Sequence, residues 1–384
     1  MKVPKPSYET MEKIIEVLRY GSGAKGCVPI KSAHVSGVSY ANIKEAGMEF
    51  LEDVAKSGVK VKVATTTNPG CAEIGARSNR YGLDKELIEN QRRIVRALEK
   101  IGAEATLTCT PYECRRVGFG EHVAWAESSA VAYANSVLGA RSNRESGISA
   151  LASAVTGKTP LYGMHVAKNR VPKARVEVEA GELDEARMGA LGYLLGAKLG
   201  SEVAFLSGVG RCDKTKIKCL LAAASTAAPV SLVHVEGVTA EEEWAGKLAP
   251  RRAEHTIGME EIEEQREKLS FDSADPDCAL IGCPHLSLEE LARLAEENSG
   301  RKFGKPAFLF TSRRVAELAR RKGYAGKLER SGASILVDTC VMWSGLGRLG
   351  LERPATNSAK ACFYLRNAMG LKPKLCSARD CLGA

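Results

Sequence analysis

The sequence predicts an α/β protein made of several α/β/α units with mainly parallel sheets. Three features carry that expectation. Short apolar runs alternate with helical stretches, the order that builds parallel strand–helix–strand units. Residues 84–101 place Leu87, Ile88, Gln91, Ile94, Val95, Leu98 and Ile101 on one helical face and stop at Gly102. The apolar run 105–107 follows at once and ends at Cys109, as a buried strand would, because Pro111 blocks regular continuation. At 384 residues the chain exceeds one ordinary core, so two or three domains are expected.

Taken in order, residues 11–20 form a helix through Ile14, Ile15, Val17 and Leu18, ended by Gly21-Ser22-Gly23. Residues 28–40 are rich in hydroxyls. Within them Gly37, Val38 and Ser39 lead into a helix near Tyr40, either as an anion site or as a plain cap loop. Residues 59–63 alternate like a strand with one wet face and run into a turn at 65–70 that contains Asn68 and Pro69. Residues 120–139 are rich in Ala and Ser and read as a closely packed helix. Glu127, Ser128 and Ser129 inside it form either a satisfied core network or a site. Arg141 and Arg144 follow, as an anion clamp or a charged loop.

The middle of the chain repeats the rhythm. Residues 175–178, 202–206 and 229–235 read as strands, and 184–199 as a helix capped by Asp184. The charged stretch 241–269 reads as a solvated helical excursion. Ser287 and Glu290 make a capping box. Cys283 is thereby expected in a strand-to-helix loop at a positive dipole end, which favours thiolate. Residues 306–310 and 333–337 are further buried strands, with a helix through Val315, Leu318 and Ala319 between them. Lys360 falls in the first turn of a helix opened by residues 356–360, where its charge opposes the dipole.

Composition narrows the function. The chain is 44% hydrophobic and 26% charged, with a net charge of +9 spread along it, which suits an anionic substrate or an acidic partner. No basic run is interleaved with aromatics, and no zinc-finger or RNP spacing occurs, so nucleic-acid binding is not indicated. No apolar run approaches the roughly 18 residues of a membrane span, and the first residues lack a secretory core, so a cytoplasmic protein is expected. Its 12 cysteines should then stay reduced. No C-x-x-C occurs. Cys109/Cys114, Cys278/Cys283 and Cys376/Cys381 share a C-x₄-C spacing that is not a zinc pattern. Cys219 and Cys362 read as core residues. Cys109, Cys283 and Cys340 each end an apolar run. They are either three buried core thiols or the ligands of an iron–sulfur cluster with one open iron, a Lewis acid for a substrate hydroxyl.

Five blocks carry a resemblance: 31–40 (KSAHVSGVSY), 120–163 with SSAVAYANS, 282–287 (GCPHLS), 337–340 (VDTC) and 356–360 (TNSAK). Through them nearly the whole chain resembles the aconitase X family. The resemblance implies an aconitase-like fold around a labile [4Fe–4S] cluster on Cys109, Cys283 and Cys340. It implies dehydration of (R)-5-phosphomevalonate to trans-anhydromevalonate 5-phosphate, a step of the archaeal mevalonate route. Gly37, Val38, Ser39, Asn68, Pro69, Glu127, Ser128 and Lys360 are the implied substrate-binding positions. The general base is expected on a small swivel-domain partner subunit, because the chain ends without that domain. Hydroxyproline dehydration, or a non-catalytic iron–sulfur sensor or scaffold, are the alternatives. One expected region, 1–170 with 331–384, carries Cys109 and Cys340; the other, 171–330, carries Cys283. Two features depart from the family pattern: the loop Gly70-Cys71-Ala72-Glu73, and a start so close to the first motif that a short leading helix is expected to be missing.

Overall fold

The computed structural model describes residues 6–75, 81–271, 275–342 and 345–383. The first five residues, read above as part of a start without a secretory core, lie outside them. In the first unit the order is α1 (Tyr8–Gly21), β1 (Cys27–Pro29), β2 (Ser32–Val35), α2 (Tyr40–Lys56), β3 (Ala64–Thr67), α3 (Lys85–Lys100), β4 (Ala124–Trp125), α4 (Ser128–Ser136), α5 (Gly147–Thr156) and β5 (Lys158–Pro160). Strands β3-β2-β4 form a parallel sheet, while β1 and β5 make an antiparallel pair. Helix α3 forms where the periodicity puts it: Asp84 caps it, and Ile88, Ile94 and Leu98 are buried.

Three expectations for this unit fail for local reasons. The strand expected at 59–63 lies later, at Ala64–Thr67, because Val61 and Lys62 donate their N–H groups to Ile101 and Ala154 instead of to a ladder. The threonines read as a turn are thus the strand. The strand expected at 105–107 is irregular: Leu107 has φ +44°, and the Thr106 hydroxyl bonds both the N–H and the C=O of Thr67 (3.0 and 3.1 Å). A side chain takes the place of a ladder. The helix expected over 120–139 is helical only at Ser128–Ser136, since Ala124–Trp125 pairs with β2 and Glu127 is the cap.

The second unit runs β6 (Ala174–Glu179), α6 (Glu185–Leu199), β7 (Ala204–Ser207), α7 (Lys214–Ala227), β8 (Val233–Val235), α8 (Glu242–Leu248), β9 (His255–Gly258) and α9 (Met259–Leu269), with a parallel sheet β8-β7-β6-β9. Strand β9 breaks the expected helical excursion. It is an edge strand burying only Ile257, so its charged flanks hide it. Helices α6 and α7 touch backbone to backbone: a Cβ on Gly192 would lie 2.1 Å from the Leu220 carbonyl oxygen. Arg170 precedes this unit and is fully buried. It pairs with Glu241 at 2.7 Å and donates to Asn135 Oδ1 and O at 3.1 and 3.0 Å, which fastens α4 to the second unit.

The third unit comprises β10 (Cys278–Leu286), α10 (Leu288–Glu297), β11 (Ala307–Thr311), α11 (Arg313–Arg321), α12 (Tyr324–Ser331), β12 (Ala333–Leu336), α13 (Gly345–Arg348), β13 (Pro354–Thr356), α14 (Ala359–Met369), β14 (Lys374–Leu375) and α15 (Ala378–Cys381). Its parallel sheet is ordered β12-β11-β10-β13-β14. The expected boundary at 330/331 falls between β11 and β12, which pair from Ala307–Ala333 to Phe310–Leu336. Cys283 and Cys340 therefore belong to one sheet, because the ladder crosses that boundary. The β10–β11 register shifts between Ile281 and Leu286. Gly282 permits the shift: its φ is +119°, and a Cβ there would meet the Phe310 oxygen at 2.3 Å. Among the described residues no helix is long and apolar enough to cross a membrane.

Arg170→Leu should lower the unfolding free energy by about 3–5 kcal/mol, because it strands the Glu241 carboxylate. Urea titration of the chain measures this. The double variant Arg170→Leu/Glu241→Leu should recover part of the loss.

Candidate active site

Apart from Cys109, which follows the irregular segment at 105–107, the candidate residues sit at the C-terminal end of a parallel strand or in the loop or helix start beyond it, where open α/β sheets place their chemistry. On the first sheet the register sets His34 opposite Thr66 and Trp125. The loops after β2, β3 and β4 thus leave one edge together, carrying Gly37–Ser39, Asn68–Pro69 and Glu127–Ser128. Glu127 caps α4, its Oε1 accepting from the Ser129 N–H and hydroxyl at 3.4 and 3.0 Å. Its Oε2 accepts from Asn68 Nδ2 at 3.0 Å. Lys360, in the first turn of α14, reaches across from the third sheet to Glu127 Oε1 at 2.5 Å. This partner explains a cation at the wrong end of a helix dipole.

The chain of contacts continues inward. Asn68 gives its NH₂ to the carboxylate, so its Oδ1 faces His34 Nε2, which donates at 3.2 Å. His34 Nδ1 then accepts from the Thr66 hydroxyl at 2.8 Å. Burial pushes the His34 imidazole down to about 4, so it is neutral at ordinary pH. Burial would raise the Glu127 carboxyl. The Lys360 ammonium, with hydrogen bonds from Lys360, Asn68 and Ser129, overrides it and holds the group at about 2. Burial likewise works against the Lys360 charge, but Glu127 and Cys283 raise its pKa above the usual lysine range.

Cys109, Cys283 and Cys340 are half-buried free thiols. Cys283 lies in the irregular end of β10, next to a cis bond to Pro284, and Cys340 lies beyond β12. The Thr108 N–H donates to Thr67 O at 3.0 Å, which brings Cys109 alongside β3. The His285 N–H donates to Cys109 Sγ at 3.2 Å. A charge on Cys283 acts on both Cys109 and Cys340. Burial pushes all three thiols up, Cys340 to about 12. The expected dipole-stabilised thiolate at Cys283 is therefore corrected: desolvation dominates there, and α10 begins only at Leu288. Such thiols lose their protons when a cation takes the protons' place, and soft sulfur donors suit iron. Among the described residues, no three His, Cys, Asp or Glu side chains could together hold a single metal ion.

The remaining sequence candidates are placed as follows. Gly37 has φ +69° and Val38 is buried. Ser39 is the N-cap of α2 without a side-chain capping bond, and its hydroxyl faces Cys71. Ser128 is the half-buried first residue of α4 beside Glu127, and Pro69 is buried. Arg141 and Arg144 donate to the carbonyls of His165 and Ala228, and the charge of Glu127 acts on Arg144. The atypical loop Gly70–Glu73 acts as a fastener. The Gly70 N–H donates to Asp338 O (2.8 Å), and Glu73 Oε1 accepts from the Val337 N–H (3.2 Å), two bonds to the segment leading to Cys340. Sequence reasoning left His34, His285 and Ser358 off the site and raised Ser129 only as part of a core network or a site. All four lie inside the quoted motif blocks, so adjacency to a site residue was the available signal; Ser358 caps α14 at the Ala361 N–H (3.1 Å).

Three family models match the chain: the aconitase X first domain over residues 5–168, the second over 172–267 and the third over 276–384. The phosphomevalonate dehydratase large subunit of Methanothermobacter thermautotrophicus is 42% identical over 94% of this chain and 91% of that protein. The chain belongs to the aconitase X family. The phosphomevalonate dehydratase large subunit of Methanocaldococcus jannaschii is 40% identical, over 89% and 87% of the two chains. A cis-3-hydroxy-L-proline dehydratase of Pseudomonas aeruginosa is 33% identical over 94% of this chain but 64% of that longer protein. The crystal structure of Thermococcus kodakaraensis aconitase X, described as the holo form, superposes with a TM-score of 0.88 at 39% identity, covering 97% of this chain and 94% of that one. The α/β architecture and parallel sheets expected from the sequence are those of aconitase X.

Because the Glu127 carboxyl is held below its ordinary value, its contribution to stability is complete above about pH 4.5 and is lost as the pH falls towards 2. Glu127→Gln should therefore cost roughly 3 kcal/mol at pH 6. Urea titrations of the iron-free wild type and variant should converge as the pH is lowered to about 2.5.

Proposed function

We propose that this chain is the large subunit of a cytoplasmic hydro-lyase that dehydrates (R)-5-phosphomevalonate to trans-anhydromevalonate 5-phosphate, with a [4Fe–4S] cluster on Cys109, Cys283 and Cys340. One observation carries the reading: the segment after Cys283 bonds Cys109 Sγ through the His285 N–H and the Thr339 carbonyl through the His285 ring, so the three cysteine loops adjoin. The names of the relatives supply the substrate. A set of three thiols suits an iron–sulfur cluster with one iron left open. When bound, the cluster supplies a Lewis acid for a departing hydroxyl.

The chain's own residues do the rest. Lys360 is a buried cation whose position Glu127 fixes, and it faces the anionic groups of the substrate. Glu127 is a carboxylate at neutral pH and does not donate a proton; Asn68 and neutral His34 hold it in place. Gly37, Val38 and Ser39 reach the same edge, ahead of a helix start whose Tyr40 N–H is taken by Gln91 Oε1 at 3.0 Å, so the loop itself is the part left to face the substrate. The +9 net charge favours the approach of a doubly anionic substrate. Removal of the proton next to the substrate carboxylate is assigned to a serine of a small partner subunit, since the archaeal relatives are named large subunits. A hydroxyproline dehydratase reading has the lower identity and rests on a longer protein.

After anaerobic reconstitution with the small subunit, Cys283→Ser should lose iron, sulfide and dehydration of 5-phosphomevalonate together, while wild type leaves cis-3-hydroxyproline untouched. Full turnover by a cluster-free variant would sink the proposal.

A further inference from the structure

The side chain of His285, itself in the Cys283 loop, touches the other two cysteine loops. Its Nδ1 meets the Thr108 hydroxyl at 2.9 Å, next to Cys109. Its Nε2 meets the Thr339 carbonyl at 2.8 Å, next to Cys340. It follows Cys283 by one proline, and its own N–H donates to Cys109 Sγ at 3.2 Å. The contacts fix its form: the carbonyl requires a proton on Nε2, so Nδ1 accepts from Thr108. The ring is completely buried, and Lys218, paired with Glu290 on α10, donates to the His285 carbonyl at 3.1 Å. We propose that His285 is a positioning residue that sets the three cysteine loops in register before any cluster is present. Groups of this kind orient ligands and tune cluster stability through hydrogen bonds to sulfur. The inference rests on the cluster reading above.

The test uses the full chain, reconstituted anaerobically with iron and sulfide. His285→Leu should load less iron and sulfide, and its visible absorbance should bleach roughly ten-fold faster under an iron chelator. His285→Gln, which keeps a donor for Thr339, should fall between that variant and wild type. Thr108→Val removes one end of the clamp without altering the buried ring and serves if His285→Leu does not fold. Wild-type loading and bleaching in His285→Leu and Thr108→Val would overturn the clamp alone. A wild-type chain that takes up neither iron nor sulfide would overturn the cluster reading and the clamp with it.

A separate observation concerns the segment after the edge strand β14 of the third sheet. The sulfurs of Cys376 and Cys381 lie 3.2 Å apart. Ser377 caps α15 by accepting from the Asp380 N–H at 3.1 Å, which folds the chain back so that Cys381 Sγ also meets Cys376 O at 3.6 Å. Cys376 is half-buried and Cys381 buried. We infer that Cys376 and Cys381 form a reversible dithiol–disulfide couple that exchanges with low-molecular-weight disulfides. The thiol of Cys381 hydrogen-bonds Cys376 and lowers its pKa, which marks Cys376 as the attacking sulfur. Cys376 thiolate opens the small disulfide and one small thiol leaves. Cys381 then gives its proton to solvent and attacks Cys376 Sγ, releasing the second. The dithiol loses two electrons and the small disulfide gains them. The Cys376 N–H donates to Thr356 O at 3.1 Å, so the couple adjoins the strand that leads to Ser358 and Lys360.

Treating the full-length chain anaerobically with oxidised glutathione, then mapping peptide masses, tests this. Wild type should show Cys376 joined to Cys381, reversed by dithiothreitol, and Cys381→Ser should retain glutathione on Cys376. Stable glutathione on wild-type Cys376, or two thiols that stay open to alkylation, would overturn it.

Discussion

The contact between Lys360 and Glu127 governs how this molecule is put together. Each side chain is nearly removed from water, at 12% and 13% exposure, so either charge alone would be costly. Together they satisfy one another, and Ser129 and Asn68 take up the remaining carboxylate valences. The two partners come from different sheets. The pair can exist only when the edge after β4 and the helix after β13 have closed on each other. Satisfying the charges and assembling the site are therefore the same event.

The other fastenings between the two sheets follow the same logic. The loop after Asn68 gives a backbone N–H to Asp338 and takes one from Val337 on a side chain. Asp338, buried and with φ +66°, is held in turn by Arg313 and by the Ile74 N–H. Polar groups at the ends of parallel strands would otherwise be unsatisfied, and here they bond the neighbouring sheet. A second unit braces this arrangement from the side. Lys218 on α7 reaches the His285 carbonyl, and Gly189 on α6 leaves room for Ala359, the residue before Lys360.

Legibility in the sequence tracked how local each signal was. Helices α3, α6 and α10 were readable because a capping side chain and an apolar stripe lie within a few residues of each other. Strands β7, β11 and β12 were readable as short apolar runs. What escaped depends on distant partners. Strand β3 is a run of threonines that becomes a strand only because β2 lies beside it, and β9 is an edge whose single fully buried residue is Ile257. The division at 330/331 failed because a ladder between β11 and β12 leaves no mark in either segment. The candidate site residues were nominated through the family resemblance. The contacts of His34 and His285 were not, since their partners lie far away in the chain.

The split of labour between sheets has an evolutionary consequence. Gly37–Ser39 hang from one sheet, whereas Cys283 and Cys340 hang from another, with no strand in common. Replacements in the loop after β2 fall on a different sheet from the loops of Cys283 and Cys340, whereas Cys109 shares the sheet of that loop. A lineage can thus reshape one wall of the cleft while inheriting the other unchanged.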